Sequence, residues 1–262
     1  MSNKYDKVET YKLTIQNFIS EKYEQHESGV YLHPPVKDEL GKPIYRYMQF
    51  EHLLQMLSTE KFYIANRSNF PDLTEFGYKK SIVDTFSLLA YHRSKKENER
   101  EAQREAERKK AIKNVCVSCW TYGTPKENNT ESYFMWKIYA GQGIGCRIES
   151  TVGKLLDAIN NIPNDCDILL SEVKYKERWR TGSSQQDLFW KTLPYEEEKE
   201  LRLCSLSQEG HVLLDINPTK MISEVLLSPF ISKEVASWIK KQFEENYPDI
   251  PIAKSQIMEC KK

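Results

Sequence analysis

The sequence predicts an α+β fold in a single domain. Short runs that alternate as strands are interspersed with short runs of helical spacing, and neither an internal repeat nor a low-complexity linker divides the chain. The 262 residues suffice for one substantial core, although length alone fits one large domain or two small ones. We favour one domain, with residues 1–42 as an N-terminal helical extension and residues 93–113 as a charged helical segment.

The N-terminal extension is predicted from the helical spacing of its apolar residues. These are Val8, Tyr11, Ile15, Phe18 and Ile19, and a loop containing proline and glycine follows them. The first residues lack the apolar core of a signal peptide, and no apolar run approaches the roughly 20 residues of a membrane span. We expect a cytoplasmic protein without a membrane partner.

The centre of the domain is predicted to begin with a strand, a helix and a second strand. The segment IYRYM (44–48) alternates as a strand, FEHLLQMLS (50–58) carries an apolar helical stripe, and KFYIAN (61–66) alternates again. The next segment, RSNFPDLTEFG (67–77), is predicted to be a loop by its Ser, Asn, Pro and Gly content.

A helix predicted over residues 82–90 runs into the charged tract of residues 93–113. The tract is rich in both charge signs and nearly empty of large apolar groups, so we interpret it as a solvated helix with i,i+4 ion pairs. A nucleic-acid-binding arm is the alternative, but the interleaved acidic residues argue against phosphate binding.

The second half of the chain continues the mixed pattern. Strands are predicted in VCVSCWT (115–121), IGCRIE (144–149), DILLSEVKY (167–175) and EKELRLCSL (198–206), and a short helix in ESYFMWKIYA (131–140). A helix in STVGKLLDAINNIP is expected to end near Pro163. The last predicted helix has its start signal at Ser232 and its stop signal at Pro248, with helical spacing of Val235, Trp238, Ile239, Gln242 and Phe243.

Charge and cysteine content argue against several classes of function. The 38 basic and 38 acidic side chains cancel, so no global field draws the protein to nucleic acid or to an anionic membrane. Cys116 and Cys119 form a C-x-x-C pair, but a second closely spaced Cys or His pair is missing. We therefore predict buried thiols and no metal site.

The stretch PYEEEKELRL (194–203) concentrates carboxylates ahead of an apolar run. In a strand, Glu198, Glu200 and Arg202 share one face, and Lys199 shares the other face with two leucines. Since the leucine face is expected to be buried, the charged row would face solvent or a cleft. Spacing alone favours a half-exposed strand with ordinary cross-strand ion pairs over a functional site.

A nuclease-like pattern is a second interpretation of the same region. Asp72 in FPD, together with Glu197 and Lys199, matches the acidic, acidic-x-Lys layout in which carboxylates hold Mg²⁺ and a lysine positions the attacking water. The pattern is short, and well over a hundred residues separate its two parts.

Several segments occur in the order seen in a family of uncharacterised bacterial proteins. They are YRYMQFEHLLQMLSTEKFYIANRSNFPD, then MWKIYA followed by GIGCRIE, then FW ahead of EEEKELRL, and together they cover roughly residues 43–205. The chain resembles that family, which in turn resembles, more remotely, the ADP-ribosyltransferase superfamily. The resemblance implies a split, mostly antiparallel sheet of short strands with peripheral helices.

The same resemblance assigns residues to an NAD site. Arg46 in YRY would hold an NAD phosphate or ribose, which suits the planar fork of a guanidinium. Ser68 would supply a hydroxyl to the NAD pocket, and Tyr63 would be a platform for the nicotinamide or adenine ring unless it is a core residue.

The resemblance also assigns the reacting groups. Glu200 would stabilise the oxocarbenium-like state formed when the bond between nicotinamide and ribose breaks. Glu198 would contact or deprotonate the acceptor. Arg202 would be the counter-ion that keeps both carboxylates ionised.

Two features depart from the family pattern. The loop usually reads Phe-Asn-Asp-Pro-Phe-Glu, whereas this chain has FPDLTE at residues 70–75 and a displaced proline. The tract of residues 93–113 looks inserted, and would serve as a partner-binding element or a lid.

The resulting expectation is an NAD-consuming ADP-ribosyltransferase that modifies a protein, RNA or DNA acceptor. Such families imply a bacterial toxin or anti-phage effector held in check by an antitoxin or another inhibitory partner. The alternatives are the metal-dependent nuclease and a non-catalytic interaction protein.

Overall fold

A computed structural model describes residues 23–67, 114–122, 131–141, 143–164, 166–177, 186–207 and 209–258. Within these ranges the chain has a mixed α/β architecture, with a large, mostly antiparallel sheet and a few helices. The helices predicted over residues 8–19 and 82–90, the tract of residues 93–113, Ser68 and Asp72 lie outside the described residues.

The described strands are mostly short. They are β1 (Glu24–Gln25), β2 (Tyr31–Leu32), β3 (Pro43–Gln49), β4 (Lys61–Asn66), β5 (Val115–Tyr122), β6 (Gly145–Thr151), β7 (Ile159–Asn161), β8 (Leu169–Glu172), β9 (Lys174–Lys176), β10 (Trp190–Thr192), β11 (Glu200–Leu206), β12 (His211–Ile216), β13 (Glu224–Leu227) and β14 (Ile252–Lys254). The strands predicted around 44–48, 61–66, 115–121 and 144–149 are thus confirmed as β3, β4, β5 and β6, and the strand predicted over 198–206 is present as β11 but begins only at Glu200.

The described helices lie between the strands. They are α1 (Pro34–Lys37), α2 (Phe50–Thr59), α3 (Tyr133–Tyr139), α4 (Val152–Asp157), α5 (Pro218–Met221) and α6 (Lys233–Asn246), with 3₁₀ helices at Gln186–Phe189 and Leu193–Glu198. Ser232 caps α6 by accepting a hydrogen bond from the backbone N–H of Val235, as its start signal predicted. None of the helices in the described ranges combines the length and apolar content that a membrane crossing requires.

The main sheet runs in the order β1, β2, β8, β11, β5, β3, β6, β13, β14. Strand β12 pairs with β4 and β7, and β4 also pairs with β5. The pairs β2 with β8 and β13 with β14 are parallel, and the other pairs of this sheet are antiparallel. Strand β11 therefore has a neighbour on each edge, which makes it an interior strand of the sheet.

One edge of β5 is shared by two strands, and this divides the sheet. Tyr45 of β3 pairs with Thr121, whereas Ala65 of β4 pairs with Val117. Residues 118–120 of β5 lie between these two contacts, so β3 and β4 separate from each other there. We call this place the fork of the sheet.

The two faces of the sheet bury different groups. A large core on one face includes Ile44, Phe62, Trp120, Leu201 and Leu203. Phe62 of β4 fills the fork on this face, where its ring stacks on that of Trp120 with centroids 6.2 Å apart. Two smaller clusters, which include Tyr45, Tyr47 and Trp136 in one and Val117 and Cys204 in the other, lie on the opposite face.

Two predicted elements end earlier than their sequence pattern suggested. The helix expected to reach Pro163 stops at Asp157, because Ile159 and Asn161 leave it to form β7 against β12. The strand predicted over 167–175 breaks at Val173, whose backbone N–H donates to the carbonyl of Glu200. Apolar spacing within a segment does not show whether its backbone will instead form hydrogen bonds with a strand that is distant in the sequence.

A small second sheet lies beside the main one. Strands β9 and β10 pair in parallel with each other, and Lys191 of β10 lies opposite Tyr175 of β9. The 3₁₀ helices Gln186–Phe189 and Leu193–Glu198 flank β10 on either side in the sequence. This unit carries side chains to the start of β11.

Candidate functional site

Glu198 and Glu200 lie on different elements. Glu198 ends the 3₁₀ helix Leu193–Glu198, Glu200 begins β11, and Lys199 between them has a left-handed backbone with φ of 42°. The prediction that both glutamates belong to one strand face is therefore wrong. They nevertheless lie close together, because a third side chain contacts both.

That side chain is Lys191. Its Nζ lies 2.5 Å from Oε2 of Glu198 and 2.8 Å from Oε2 of Glu200. All three side chains are almost fully buried, with exposed fractions of 5%, 6% and 2% in the order Lys191, Glu198, Glu200. A buried ammonium thus bridges two buried carboxylates, an arrangement whose geometry has to offset the cost of removing the charges from water.

Arg202 completes a cluster of four charged side chains. Its Nε donates to Oε1 of Glu200 at 2.5 Å, Nη2 donates to Oε2 at 3.0 Å, and Nη1 donates to the carbonyl of Leu188 at 2.7 Å. The two hydrogen bonds to Glu200 form the bidentate pairing that a guanidinium makes with a carboxylate.

The expectation of a half-exposed charged row on β11 is wrong. Glu200 is 3% exposed and Arg202 is fully buried. Neighbouring strands flank β11 on both edges, and Leu188, from the 3₁₀ helix Gln186–Phe189, covers the charged face by accepting a hydrogen bond from Arg202. The alternation of polar and apolar residues identified which side chains share a face but not what covers that face.

Opposing effects set the ionisation of Glu200. Burial alone would raise its pKa, but the positive charges of Arg202 and Lys191 outweigh burial and lower the pKa from 4.5 to about 2. Glu200 is therefore an anion at neutral pH.

Two tyrosines and a cysteine supply neutral polar groups to the cluster. The hydroxyl of Tyr139 donates to Oε1 of Glu198 at 3.2 Å, and the backbone N–H of Glu200 donates to the Tyr175 hydroxyl at 2.9 Å. Burial and the nearby carboxylates raise the pKa of Tyr139, of Tyr175 and of the Cys119 thiol. These groups therefore remain protonated at neutral pH.

A cavity of about 30 Å³ lies at the fork of the sheet. Its walls come from β3, β5 and α3, and they include Tyr45, Cys119 and Tyr139 together with Glu198 and Glu200. This volume is room for about one water molecule. Both glutamates thus border a small space enclosed mainly by aromatic and sulfur-containing side chains.

Arg46 lies on the other face of the sheet. Thr121 of β5 is paired directly opposite Tyr45 of β3 on one edge and Glu200 of β11 on the other, so the three side chains share one face of the sheet. Arg46, the next residue on β3, points to the opposite face, where its guanidinium lies 5.0 Å above the Phe62 ring. Arg46 is among the residues that line the cavity, but its guanidinium contacts Phe62 and does not pair with Glu200.

Arg46 as a whole residue is partly exposed, but its guanidinium is buried enough for burial to lower its pKa. Its ring contact with Phe62 is a cation–π interaction. No carboxylate of the described residues pairs with it. A guanidinium without a carboxylate partner among the described residues has donors to offer to an anion.

Tyr63 lies away from the cavity. Its ring is 46% exposed on the outer side of β4 and stacks on His211, with centroids 5.6 Å apart. The residues that line the cavity do not include it. Ser68, the other residue expected in the NAD pocket, lies outside the described residues.

The residues of the nuclease-like pattern do not converge on the cavity. Glu197 and Lys199 are exposed and do not line it, and Asp72 lies outside the described residues. Cys116 and Cys119, three positions apart on β5, point to opposite faces of the sheet. They therefore cannot share a metal ion, and burial raises the pKa of Cys116 to about 11.

No protein-family model matches this chain, and no curated protein matches it either. The chemistry of the site therefore has to be argued from the geometry of its own residues.

Sequence reasoning missed Lys191, Tyr139 and Tyr175. Tyr139 belongs to the segment MWKIYA, which the family resemblance had marked, and Lys191 directly follows the marked FW pair. Neither has a spacing that points to Glu198. Their approach depends on the second sheet and on α3, which are tertiary features.

Proposed function

We propose that the protein is an NAD-dependent ADP-ribosyltransferase whose reacting groups are Glu198 and Glu200. The observation that carries this proposal is the convergence of the two buried carboxylates on a cavity at the fork of the sheet. Glu200 is held as an anion there by Arg202 and Lys191. A fixed anion is what a reaction with developing positive charge requires.

Glu200 is assigned to the breaking bond. When nicotinamide leaves the ribose, positive charge develops on the sugar, and a carboxylate that is already ionised and oriented stabilises it without reorganisation. The bidentate contact with Arg202 fixes the orientation of the carboxylate. The carboxylate oxygens of Glu200 already contact Arg202 and Lys191. To bind a ribose hydroxyl as well, one of these oxygens has to accept a further hydrogen bond from it.

Glu198 is assigned to the acceptor. It lines the cavity beside Glu200, and the Tyr139 hydroxyl orients its Oε1. A carboxylate in this position takes the proton of an incoming hydroxyl, amine or amide group. Arg46, whose side chain lies on the opposite face of the sheet, is assigned to a phosphate of NAD, because its guanidinium has no described carboxylate partner.

The size of the cavity sets a condition on this proposal. Ligand pockets usually measure about 300–1,000 Å³, whereas the cavity between the described residues measures about 30 Å³. A nicotinamide ribose therefore enters only when part of the wall moves.

The acceptor and the biological role extend the proposal. The acceptor is a macromolecule, whether protein, RNA or DNA, and the role is that of a cytoplasmic toxin or anti-phage effector controlled by an inhibitory partner. Both rest on the family resemblance. Inducing the wild-type protein and the Glu200→Gln variant in bacteria tests the role, since only the wild type should arrest growth.

The reaction is tested by incubating the full-length protein with labelled NAD and a cell lysate, then following the label separately in protein and nucleic-acid fractions. The wild type is expected to label one fraction, and Glu200→Gln to label neither. Glu244→Gln, at a half-exposed position on α6, is the matched control and should behave as the wild type. Equal labelling by wild type and Glu200→Gln would contradict the assignment.

A non-catalytic interaction protein is the second candidate. It is favoured by the same cluster, because both oxygens of Glu200 already accept hydrogen bonds from internal cations and the cavity is small. In this case the four charges specify the fold and no NAD binds. Calorimetric titration with NAD separates the candidates, since only the transferase should give a binding isotherm.

A further inference from the structure

The second sheet presents two polar side chains to the start of β11. Lys191 and Tyr175 are level with each other on β10 and β9. The ammonium of Lys191 contacts both glutamates, while the Tyr175 hydroxyl accepts the backbone N–H of Glu200. One small unit outside the main sheet therefore orients both carboxylates.

We propose that Lys191 is a positioning residue that keeps Glu198 and Glu200 charged together, because its ammonium bridges the two carboxylates. Arg202, to which the sequence analysis gave this role for both residues, directs two of its donors at Glu200 and a third at a backbone carbonyl. The contact of Lys191 with Glu198 is the shorter of its two contacts. Whether this role matters for ADP-ribose transfer rests on the proposed function. The effect of Lys191 on the ionisation of Glu198 and Glu200 does not depend on that function.

The physical reason is charge balance in a buried space. The described cluster holds two carboxylates, one ammonium and one guanidinium, so the charges of these four side chains cancel. Without the ammonium, the two neighbouring carboxylates would lose the cation that contacts both of them, in a site from which water is largely excluded. The pair then relieves the excess by binding a proton, which it shares as a coupled unit.

The described tyrosines and cysteine around Lys191 are neutral and do not replace its charge. Tyr139 comes from α3, Tyr175 from β9 and Cys119 from β5, and each remains protonated and neutral at neutral pH because its pKa is raised. The Tyr195 ring lies 5.3 Å from Nζ of Lys191 and carries no charge when protonated. Arg202 is the other cation among the described groups that face the two glutamates.

The proposal predicts opposite pH dependences of stability. In the wild type, the folded pKa of Glu200 is lowered from 4.5 to about 2, so its contribution is present above 4.5 and is lost as the pH falls. In Lys191→Met, the carboxylate pair holds a proton in the folded state that the unfolded chain has released. That contribution to stability is present at low pH and is lost as the pH rises from about 4.5 toward neutrality.

The test measures the melting temperature of the full chain from about pH 5 to about pH 8, a range chosen to lie above the ordinary pKa of Glu. Lys191→Met is compared with the wild type and with the double variant Lys191→Met, Glu198→Gln, which removes one carboxylate charge together with the ammonium. Lys240→Met, which removes an exposed lysine of α6, is the matched control.

We expect the melting temperature of Lys191→Met to fall as the pH rises, with about one proton linked to unfolding. The wild type, Lys240→Met and the double variant should lack this fall. If Lys191→Met does not fold, recovery of folding in the double variant supports the proposal, and its absence contradicts it. A Lys191→Met profile parallel to that of the wild type would also overturn the proposal. None of these measurements uses NAD. The result can therefore be interpreted even if the protein proves not to be a transferase.

Discussion

Arg202 binds Glu200, two residues before it on the same strand, through two hydrogen bonds of 2.5 and 3.0 Å. Side chains two positions apart on a strand point to the same face, and a guanidinium is long enough to turn back along that face. The ion pair therefore follows from the local sequence ELR (200–202). Its burial depends on segments that are distant in the sequence and pack over this face.

Replacing Arg202 by methionine should strongly destabilise the fold. Removing one partner of a buried ion pair leaves the other uncompensated, which costs about 3–5 kcal/mol. Arg202→Lys keeps the charge but loses the bidentate geometry, so its loss should be smaller but clear. The free energy of unfolding in urea is the measurement, and two variants as stable as the wild type would contradict the structural role of this pair.

Acid should weaken the fold through Glu200. Because its pKa falls from 4.5 to about 2 on folding, the stability it contributes is present above 4.5 and is lost as the pH falls from 4.5 to about 2. Glu200→Gln should lose this part of the pH dependence and keep the part due to other carboxylates. Urea unfolding of both proteins at several acidic pH values measures the difference, and profiles that stay parallel would count against it.

Arg46→Ala should separate substrate binding from the chemical step. If the guanidinium holds a phosphate far from the breaking bond, its loss removes binding that ground and transition states share, so KM for NAD rises while kcat stays near the wild-type value. Glu200→Gln should instead lower kcat, by about 10²–10³-fold if it resembles loss of another preorganised electrostatic group. Steady-state NAD kinetics distinguish these patterns, and a fall in kcat alone for Arg46→Ala would place that residue at the reacting atoms.

Phe62→Ala should leave a cavity at the fork of the sheet, on the face that carries the large core. The buried Phe62 ring packs against the Trp120 ring and the Arg46 guanidinium, so truncation leaves a cavity and costs about 3–5 kcal/mol. Phe62→Leu retains most of the volume and should cost clearly less. Unfolding free energies give the comparison, and equal losses for both variants would mean that the cavity is not the cause.

The sequence predicted local elements better than the environment of the site. The strands and helices around Arg46, Cys119 and Glu200 follow from apolar spacing, since that signal is contained within each segment. The closeness of Glu198 and Glu200 was expected from strand alternation, yet it arises from a 3₁₀ helix end, a left-handed Lys199 and the Lys191 bridge. Alternation also separates Arg46 from Glu200, a consequence that becomes visible only when the register between β3, β5 and β11 is known.

The fork makes β5 the segment in which a length change should be least tolerated. Insertion or deletion of one residue between the contacts at Val117 and Thr121 would put β5 out of register with β3, β4 or β11. It would also exchange the faces of Cys119 and Trp120, moving an indole toward the glutamates and a thiol into the large core. Natural variation in the length of this chain should therefore occur outside residues 117–121.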